Sequence, residues 1–427
     1  MPSSSALKKV AIIGGARIPF CRSVSDYKSI GNHELLTAAL KALKEKYNLS
    51  EKPIGEAVAG AVLKHSKDFA LTREAVIESG LGYDTPAFDI QKACGTSLEA
   101  AFIIGAKIAT GQIESGIAAG SDTSSDVPIE LSIPLSQSLV RMSKAPALTG
   151  KLMQFKGLSP KDLIPKIPAV KEPRTGLTMG EHCELMAKEW KISRSDQDDL
   201  AYQSHKNATE AYEKGFFKDL VFTFNGVDKD NNLRPDISKQ KLASLKSSFD
   251  KSSAGTLTAG NSTPLTDGAA AVFMTSEDYA KEHGLEIESY LTFCQSAAVD
   301  FVKGEGLLMA PAYAVPRMLA RAGLKLSDFD FYEIHEAFAA QVLCTLKAWE
   351  DNTFCQQRLG LDSPLGAIDR TKLNVTGGSL ALGHPFAATG ARILATASKL
   401  LKQKGQGRAL ISICTAGGMG VTAIIER

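Results

Sequence analysis

The sequence contains no run of about 18 consecutive apolar residues, so no bilayer-spanning helix is expected. It also lacks an excess of either charge. With 49 Lys and Arg against 47 Asp and Glu, the formal net charge is +2, which gives no general affinity for nucleic acid. Seven cysteines, at 21, 94, 183, 294, 344, 355 and 414, include no CxxC pair. An odd count without paired spacing argues against a disulfide framework and against a zinc site, and it fits a reducing cytoplasm. Most of these cysteines are expected to be buried and inert, leaving room for at least one nucleophile. The polar segment Met1–Lys9 has neither the long apolar stretch nor the cleavage site of a secretory signal. Ile424–Arg427 carries no recognisable address.

What is present is 427 residues of ordinary globular composition, 44% hydrophobic and 22% charged, enough for two or three domains. Residues 1–125 alternate apolar runs with helical patterns. Val10–Gly14, Ala57–Leu63, Ala87–Gln91 and Gly116–Gly120 read as strands. Glu34–Tyr47 places Leu35, Leu36, Leu40 and Leu43 on one side of a helix. Ala93–Thr110 is small and apolar on nearly every face and is expected to be buried all round. This β-α-β-α-β order predicts an α/β layered fold.

Residues 126–265 differ, with prolines at 128, 134, 146, 160, 165, 168 and 173 followed by two polar amphipathic helices, Thr178–Trp190 and Ser195–Lys214. Ser195-Asp196-Gln197-Asp198 is the expected cap of the second. The region reads as an insertion, with 266–287 completing the first half. Residues 288–427 return to the α/β pattern: strands at Ser289–Ala298 and Phe329–Ile334, helices at Ala312–Ala322, Glu336–Glu350 and Ala387–Lys402, then an Ala409–Cys414/Gly420–Glu426 hairpin. The similar element order of the two halves predicts an internal duplication.

Four segments carry reactive groups. Cys94, in Gln91-Lys92-Ala93-Cys94-Gly95-Thr96-Ser97, lies between a strand and the small-residue helix. Free N–H groups at a helix start favour a thiolate and can stabilise an oxyanion. His384, in Gly383-His384-Pro385, is expected to cap the last helix and to take a proton from Cys94. Cys414 sits in Cys414-Thr415-Ala416-Gly417-Gly418-Met419-Gly420, where a second thiol can serve as acid or base. His335, followed by Glu336, ends a strand and can donate to a carbonyl oxygen; Glu336 can orient a ring or a water.

Together with the Gly260–Ala271 stretch, these segments resemble the thiolase family from about Lys8 to Glu426. The resemblance implies two similar βαβαβαββ halves in a five-layered αβαβα core with an inserted loop domain. It implies that Cys94 is acylated, that His384 activates it, and that Cys414 handles the proton on the acetyl-CoA carbon. One oxyanion site would use His384 and His335, and the other the backbone N–H groups of Cys94 and Ala416. The reaction would cleave a 3-oxoacyl-CoA with CoA, without metal or redox cofactor. Thr263 and Ser262 would meet the pantetheine arm, Met179 the acyl chain, and Arg234 the nucleotide phosphates.

Many thiolases carry Asn where His335 stands, and imidazole cannot duplicate both amide groups. The His form is similar to the β-subunits of fatty-acid oxidation trifunctional complexes, which pair with a hydratase/dehydrogenase α-subunit. That subgroup also has a longer proline-punctuated loop, which Leu131–Gly176 fits. A homodimeric core is implied. Residues 131–171 hold seven Lys or Arg against one acid, Asp162, with apolar residues among them, a pattern for an anionic membrane surface or a partner. Alternatives are a 3-oxoacyl synthase, a catalytically silent lipid-binding or scaffold relative, and a biosynthetic acetoacetyl-CoA thiolase. Cys414 argues against the first, and the Cys94, His384 and Cys414 set against the second.

Overall fold

The computed structural model describes residues 7–49, 54–168 and 171–427; residues 1–6 of the polar N-terminal segment and 169–170 of the basic stretch lie outside the described residues. The strands are β1 (Val10–Arg17), β2 (Cys21–Arg22), β3 (Glu56–Ala59), β4 (Ala87–Asp89), β5 (Ser115–Asp122), β6 (Thr266–Ser276), β7 (Ser289–Ala298), β8 (Phe331–Ile334), β9 (Arg408–Thr415) and β10 (Met419–Glu426). The hydrogen-bonded order is β4-β3-β5-β6-β1-β7-β10-β9-β8, with β2 on β6.

The β1–β7 link is short, Ala11 opposite Tyr290 and Ile12 opposite Ser289, and it separates two similar halves. In the first, β3 lies parallel to β4 and β5, and β5, β6 and β1 follow antiparallel. In the second, β8 lies parallel to β9, and β9, β10 and β7 follow antiparallel. A parallel bridge from Tyr332 to Leu373 stands where the first half has β4. The duplication expected from the sequence is therefore a repeat of pairing order as well as of element order.

The helices are α1 (Asn32–Tyr47), α2 (Leu71–Ser79), α3 (Thr96–Ala109), α4 (Ile133–Lys144), α5 (Leu148–Met153), α6 (Met179–Glu189), α7 (Arg194–Glu213), α8 (Lys239–Ala243), α9 (Glu277–Glu282), α10 (Ala310–Ala322), α11 (Ala339–Glu350), α12 (Asn352–Leu359), α13 (Ser379–Leu382) and α14 (Thr389–Lys404). Alternation along the strands sorts them into layers. Val10 and Ile12 of β1, with Ile411 and Ile413 of β9, enter one cluster with Leu98 and Ile104 of α3 and Ile393 and Leu394 of α14. Ala11 and Ile13, one residue out of phase, join Leu36 and Leu40 of α1. Leu410 and Ile424 join Val315 of α10 and Val342 of α11. Both sheets are thus covered on both faces, with α3 and α14 between them, giving the αβαβα order.

Three local expectations are corrected. The helix buried all round is α14, whose residues 389–401 are all buried, because it lies between both sheets; Ala106 of α3 is exposed. The cap of α7 is Ser193, whose Oγ accepts the Asp196 N–H at 3.0 Å, so the helix starts before Ser195. His384 does not cap α14, which begins at Thr389 after a tight turn, Phe386–Ala388. Helices α4–α8 lie in the stretch between β5 and β6. Among the described residues, no helix is long and apolar enough to cross a membrane.

The middle layer is close-fitting at the α3–α14 crossing. A β-carbon on Gly390 would lie 2.4 Å from the Leu98 nitrogen. Gly390→Ala should therefore cost about 1–3 kcal/mol through overpacking, despite the better helix propensity of alanine. Urea unfolding measures this, and an unchanged midpoint would mean that the helices do not meet so closely.

Candidate active site

The reactive segments meet at the carboxyl ends of the parallel strands, the usual place for a site in such sheets. Cys94 lies in a tight turn, Ala93–Gly95, between β4 and α3. Ala93 has φ +45°, a left-handed conformation that costs a residue with a β-carbon about 1–2 kcal/mol. Two hydrogen bonds at 2.8 Å hold it, from Lys92 N–H to Thr96 Oγ1 and from the Thr96 hydroxyl to the Ala93 carbonyl. Gly95 lets β10 come close, since a β-carbon there would lie 2.6 Å from Val421 Cγ2.

His384 is fixed from two sides. Its N–H donates to Thr266 Oγ1 at 3.1 Å, and the N–H of Ala387 donates to Asp122 Oδ2 at 2.8 Å. Its Nε2 lies 3.1 Å from Cys94 Sγ and its Nδ1 lies 2.6 Å from Thr389 Oγ1. With Nδ1–H donating to Thr389, the Nε2 lone pair faces the thiol and can accept its proton.

His335 follows β8, with its N–H donating to the Ser412 carbonyl at 2.8 Å. Its ring centroid is 4.1 Å from that of His384. Nδ1 contacts Ser379 Oγ at 2.8 Å, while buried Nε2 has no partner among the described residues. A nitrogen from each histidine and Cys94 Sγ lie within 4.8 Å of one another, a spacing that a metal ion could use. The buried Arg392 guanidinium behind them adds positive charge and opposes a cation there.

Cys414 ends β9 and is buried, and a charge on Cys94 raises its pKa further above that set by burial. The turn beyond it turns back through Gly417 at φ +75° and Gly418 at φ +68°. The Gly417 N–H donates to Glu172 Oε1 at 2.7 Å. The neighbouring Ala416 backbone N–H pulls the Cys94 pKa down.

Electrostatically the site is neutral at rest. Burial pushes the Cys94 thiol up to about 12, outweighing the N–H groups of Ala416 and Cys94 that pull it down. Burial thus opposes the thiolate that the helix start favours. Burial, then Arg392, brings His384 down to about 3 and His335 well below the ordinary histidine range. Asp122, raised by burial to about 7, accepts N–H bonds from Val62, Leu63 and Ala387.

The other sequence-selected residues lie further out. The Glu336 carboxylate accepts from Asn374 at 2.6 Å, Ser204 at 2.7 Å and the Leu380 N–H at 3.1 Å. Ser262 and Arg234 line one groove with Leu242 and Pro264, and Ser262 Oγ has no protein partner. The Thr263 hydroxyl donates to the Ala337 carbonyl at 3.0 Å. Met179 begins α6 and packs, half-buried, on the cluster that contains Cys414. Sequence reasoning passed over Thr389, Ser379, Arg392, Asp122 and Glu172. The first three lie in or beside the His384 segment, where a hydroxyl or guanidinium one helical turn on was the available signal.

Residues 10–278 match the family described as thiolase, N-terminal domain, and residues 285–427 that described as thiolase, C-terminal domain. A 3-ketoacyl-CoA thiolase of Pectobacterium carotovorum subsp. carotovorum (strain PC1) is 41% identical over 424 residues, covering 98% of this chain and 96% of that protein. One from Vibrio cholerae serotype O1 is 41% identical over 425 residues, covering 98% and 97%. Among solved structures, human mitochondrial 3-ketoacyl-CoA thiolase superposes with a TM-score of 0.81 at 27% identity, covering 99% of this chain and 100% of that one. Acetyl-CoA acetyltransferase of Bacillus anthracis gives 0.81 at 28% identity with the same coverage.

A neutral thiol–imidazole pair makes Cys94 alkylation by iodoacetamide rise steadily with pH. About tenfold per unit is expected between pH 6 and 9, since only the thiolate reacts. Peptide mass spectrometry measures it, and a plateau below pH 7 would indicate a resting thiolate–imidazolium pair instead.

Proposed function

The chain belongs to the thiolase family, and from that premise we propose that it is an acetyl-CoA C-acyltransferase acting as a 3-ketoacyl-CoA thiolase in fatty-acid β-oxidation. The observation that carries the catalytic reading is the 3.1 Å contact between Cys94 Sγ and His384 Nε2. The domain division 1–125, 126–265 and 288–427, with 266–287 completing the first half, belongs to the same proposal. The match to 3-ketoacyl-CoA thiolases at 41% identity favours degradation over acetoacetyl-CoA synthesis, for which the likeness to an acetyl-CoA acetyltransferase at 28% identity speaks.

In this reading His384 takes the Cys94 proton and the sulfur attacks C3 of the 3-oxoacyl-CoA. The resulting alkoxide lies against the N–H groups of Cys94 and Ala416. As the C2–C3 bond breaks, the acetyl-CoA enolate oxygen accepts from His335 and protonated His384, and C2 takes the Cys414 proton. Acetyl-CoA leaves. CoA enters, returns a proton to Cys414 and attacks the acyl-Cys94 thioester. Cys94 leaves and regains its proton from His384, giving an acyl-CoA two carbons shorter. Atoms and protons balance without metal or redox cofactor. Thr263, Ser262, Met179 and Arg234 are proposed to hold the substrate, with Arg234 toward the phosphates.

The reaction is placed in the cytoplasm, in keeping with seven free cysteines, and on a homodimeric core. Leu131, Ile133, Val140, Leu148, Leu152 and Met153 are exposed among the basic residues of 131–171, which supports docking of a hydratase/dehydrogenase α-subunit or an anionic membrane there.

Cys94→Ala should abolish thiolysis and the acyl-enzyme seen by intact mass, and retained turnover would remove Cys94 from the nucleophile role. Cys414→Ser should slow thiolysis about 10²–10⁴-fold while sparing acyl exchange between an acyl-CoA and pantetheine, which involves no carbon proton. Equal losses would count against its role. A substrate series from four to sixteen carbons separates the degradative from the biosynthetic reading: activity confined to four carbons would favour the latter. Leu148→Ser with Leu152→Ser should weaken vesicle sedimentation or α-subunit co-purification; no change in either would remove the docking assignment.

A further inference from the structure

Behind His335 lies a buried chain of three groups. The Arg392 Nη2–H donates to Ser379 Oγ at 2.7 Å, and Ser379 Oγ meets His335 Nδ1 at 2.8 Å. Arg392, Ser379 and His335 are 2%, 0% and 0% exposed. Donor counting fixes the direction of the second bond. A guanidinium only donates, so Ser379 Oγ spends one lone pair on Arg392 and has its own hydrogen left to give. The acceptor in contact with it is His335 Nδ1. If the proton sat instead on Nδ1, Oγ would face two donors, the hydroxyl hydrogen would be stranded, and Nε2 would be a bare lone pair. A stranded buried polar group costs about 1–3 kcal/mol.

We propose that Arg392 and Ser379 are positioning residues that hold His335 in its Nε2–H tautomer, so that the ring offers a hydrogen-bond donor to the enolate oxygen of the acetyl unit. The Nε2 atom is buried with no partner among the described residues, beside His384 and Cys94, as a donor kept for substrate would be. Burial lowers the Arg392 guanidinium to about 10, so it remains a cation at neutral pH, while His335 stays neutral. His384 has no such cation on its hydroxyl partner, so donor counting does not fix the direction of its bond with Thr389 Oγ1. The Arg392–Ser379 pair thereby sets His335 alone, as the donor toward the thioester, beside a His384 whose Nε2 faces Cys94.

The assignment rests on the thiolase reading, and its test separates the two. In Ser379→Ala, the imidazole ¹⁵N signals of His335, identified by their loss in His335→Gln, should move from the Nε2–H to the Nδ1–H pattern. Thiolysis should fall about ten- to a hundredfold in kcat with little change in KM, less than the 10²–10³ lost when an oxyanion donor is removed outright. Acyl exchange between acyl-CoA and pantetheine, which uses only the Cys94 and Ala416 N–H groups, should change less than about threefold. Ser379→Thr and Arg392→Lys, which keep the hydroxyl and the cation, should each recover part of the loss. An unchanged tautomer in Ser379→Ala, or exchange falling in step with thiolysis, would overturn the assignment. Absence of any acyl-Cys94 in the wild-type protein would instead sink the thiolase reading, since the tautomer is measured without turnover.

Discussion

The contact between the Cys94 sulfur and the His384 ring joins positions 290 residues apart, and the middle layer of the fold exists in the form it does because of that meeting. Both residues precede helices of that layer, and both helices are entered through a tight turn, Ala93–Gly95 before α3 and Phe386–Ala388 before α14. The two turns are tied to each other's half. Ala391 N–H donates to Ser97 Oγ at 2.8 Å, and Ala387 N–H to Asp122 Oδ2 at 2.8 Å. These cross-links, with the close helix approach at Gly390, make the distance between thiol and imidazole a property of the core packing. Side chains on free loops would not hold it to hydrogen-bond tolerance.

The same burial sets the chemistry. Desolvation raises both thiols and lowers both imidazoles, so the resting site carries no formal charge on its reacting groups. In the proposed reaction negative charge develops as substrate carbonyls become oxyanions, and the surroundings suit that sign. Two backbone N–H groups face the sulfur, Arg392 lies behind the histidines, and Asp122 is occupied by three N–H donors. A cradle that is already oriented needs little rearrangement when charge develops, and it acts in a medium where water does not screen it.

Much of this was legible along the chain because the reactive residues sit in short local patterns. The turn at Cys94, the glycine segment before His384 and the turn after Cys414 each announce themselves within a few residues. Eight of the ten strands were read as short runs, and Ser289–Ala298 matches its reading to the residue, whereas β2 and the long β6 went unread. What escaped were relations between distant segments. The partner of Asp122 is Ala387 and that of Glu172 is Gly417, and neither pairing leaves a periodic trace. The Cys94 protonation state escaped for the same reason: a helix start is local, whereas the burial that overrides it comes from both sheets. The partners of Glu336, namely Asn374, Ser204 and Leu380, escaped likewise, since adjacency in sequence to His335 says nothing of direction.

The duplication explains why the site is asymmetric. The two halves repeat one pairing order, so equivalent strand ends face each other across the middle layer. In the first half the end of β5 holds Asp122, which clamps the His384 loop; in the second half the end of β9 holds Cys414, which faces the reaction. After β3 comes Gly60, whose carbonyl accepts from Ser121, whereas after β8 comes His335. One half therefore contributes Cys94 and the clamps that fix its partner, and the other His335, His384 and Cys414. A single half could present either a thiol or an acid–base set at a given strand end. Two facing copies bring a thiol of one half and an imidazole of the other within hydrogen-bond reach, the pairing that the proposed proton transfers start from.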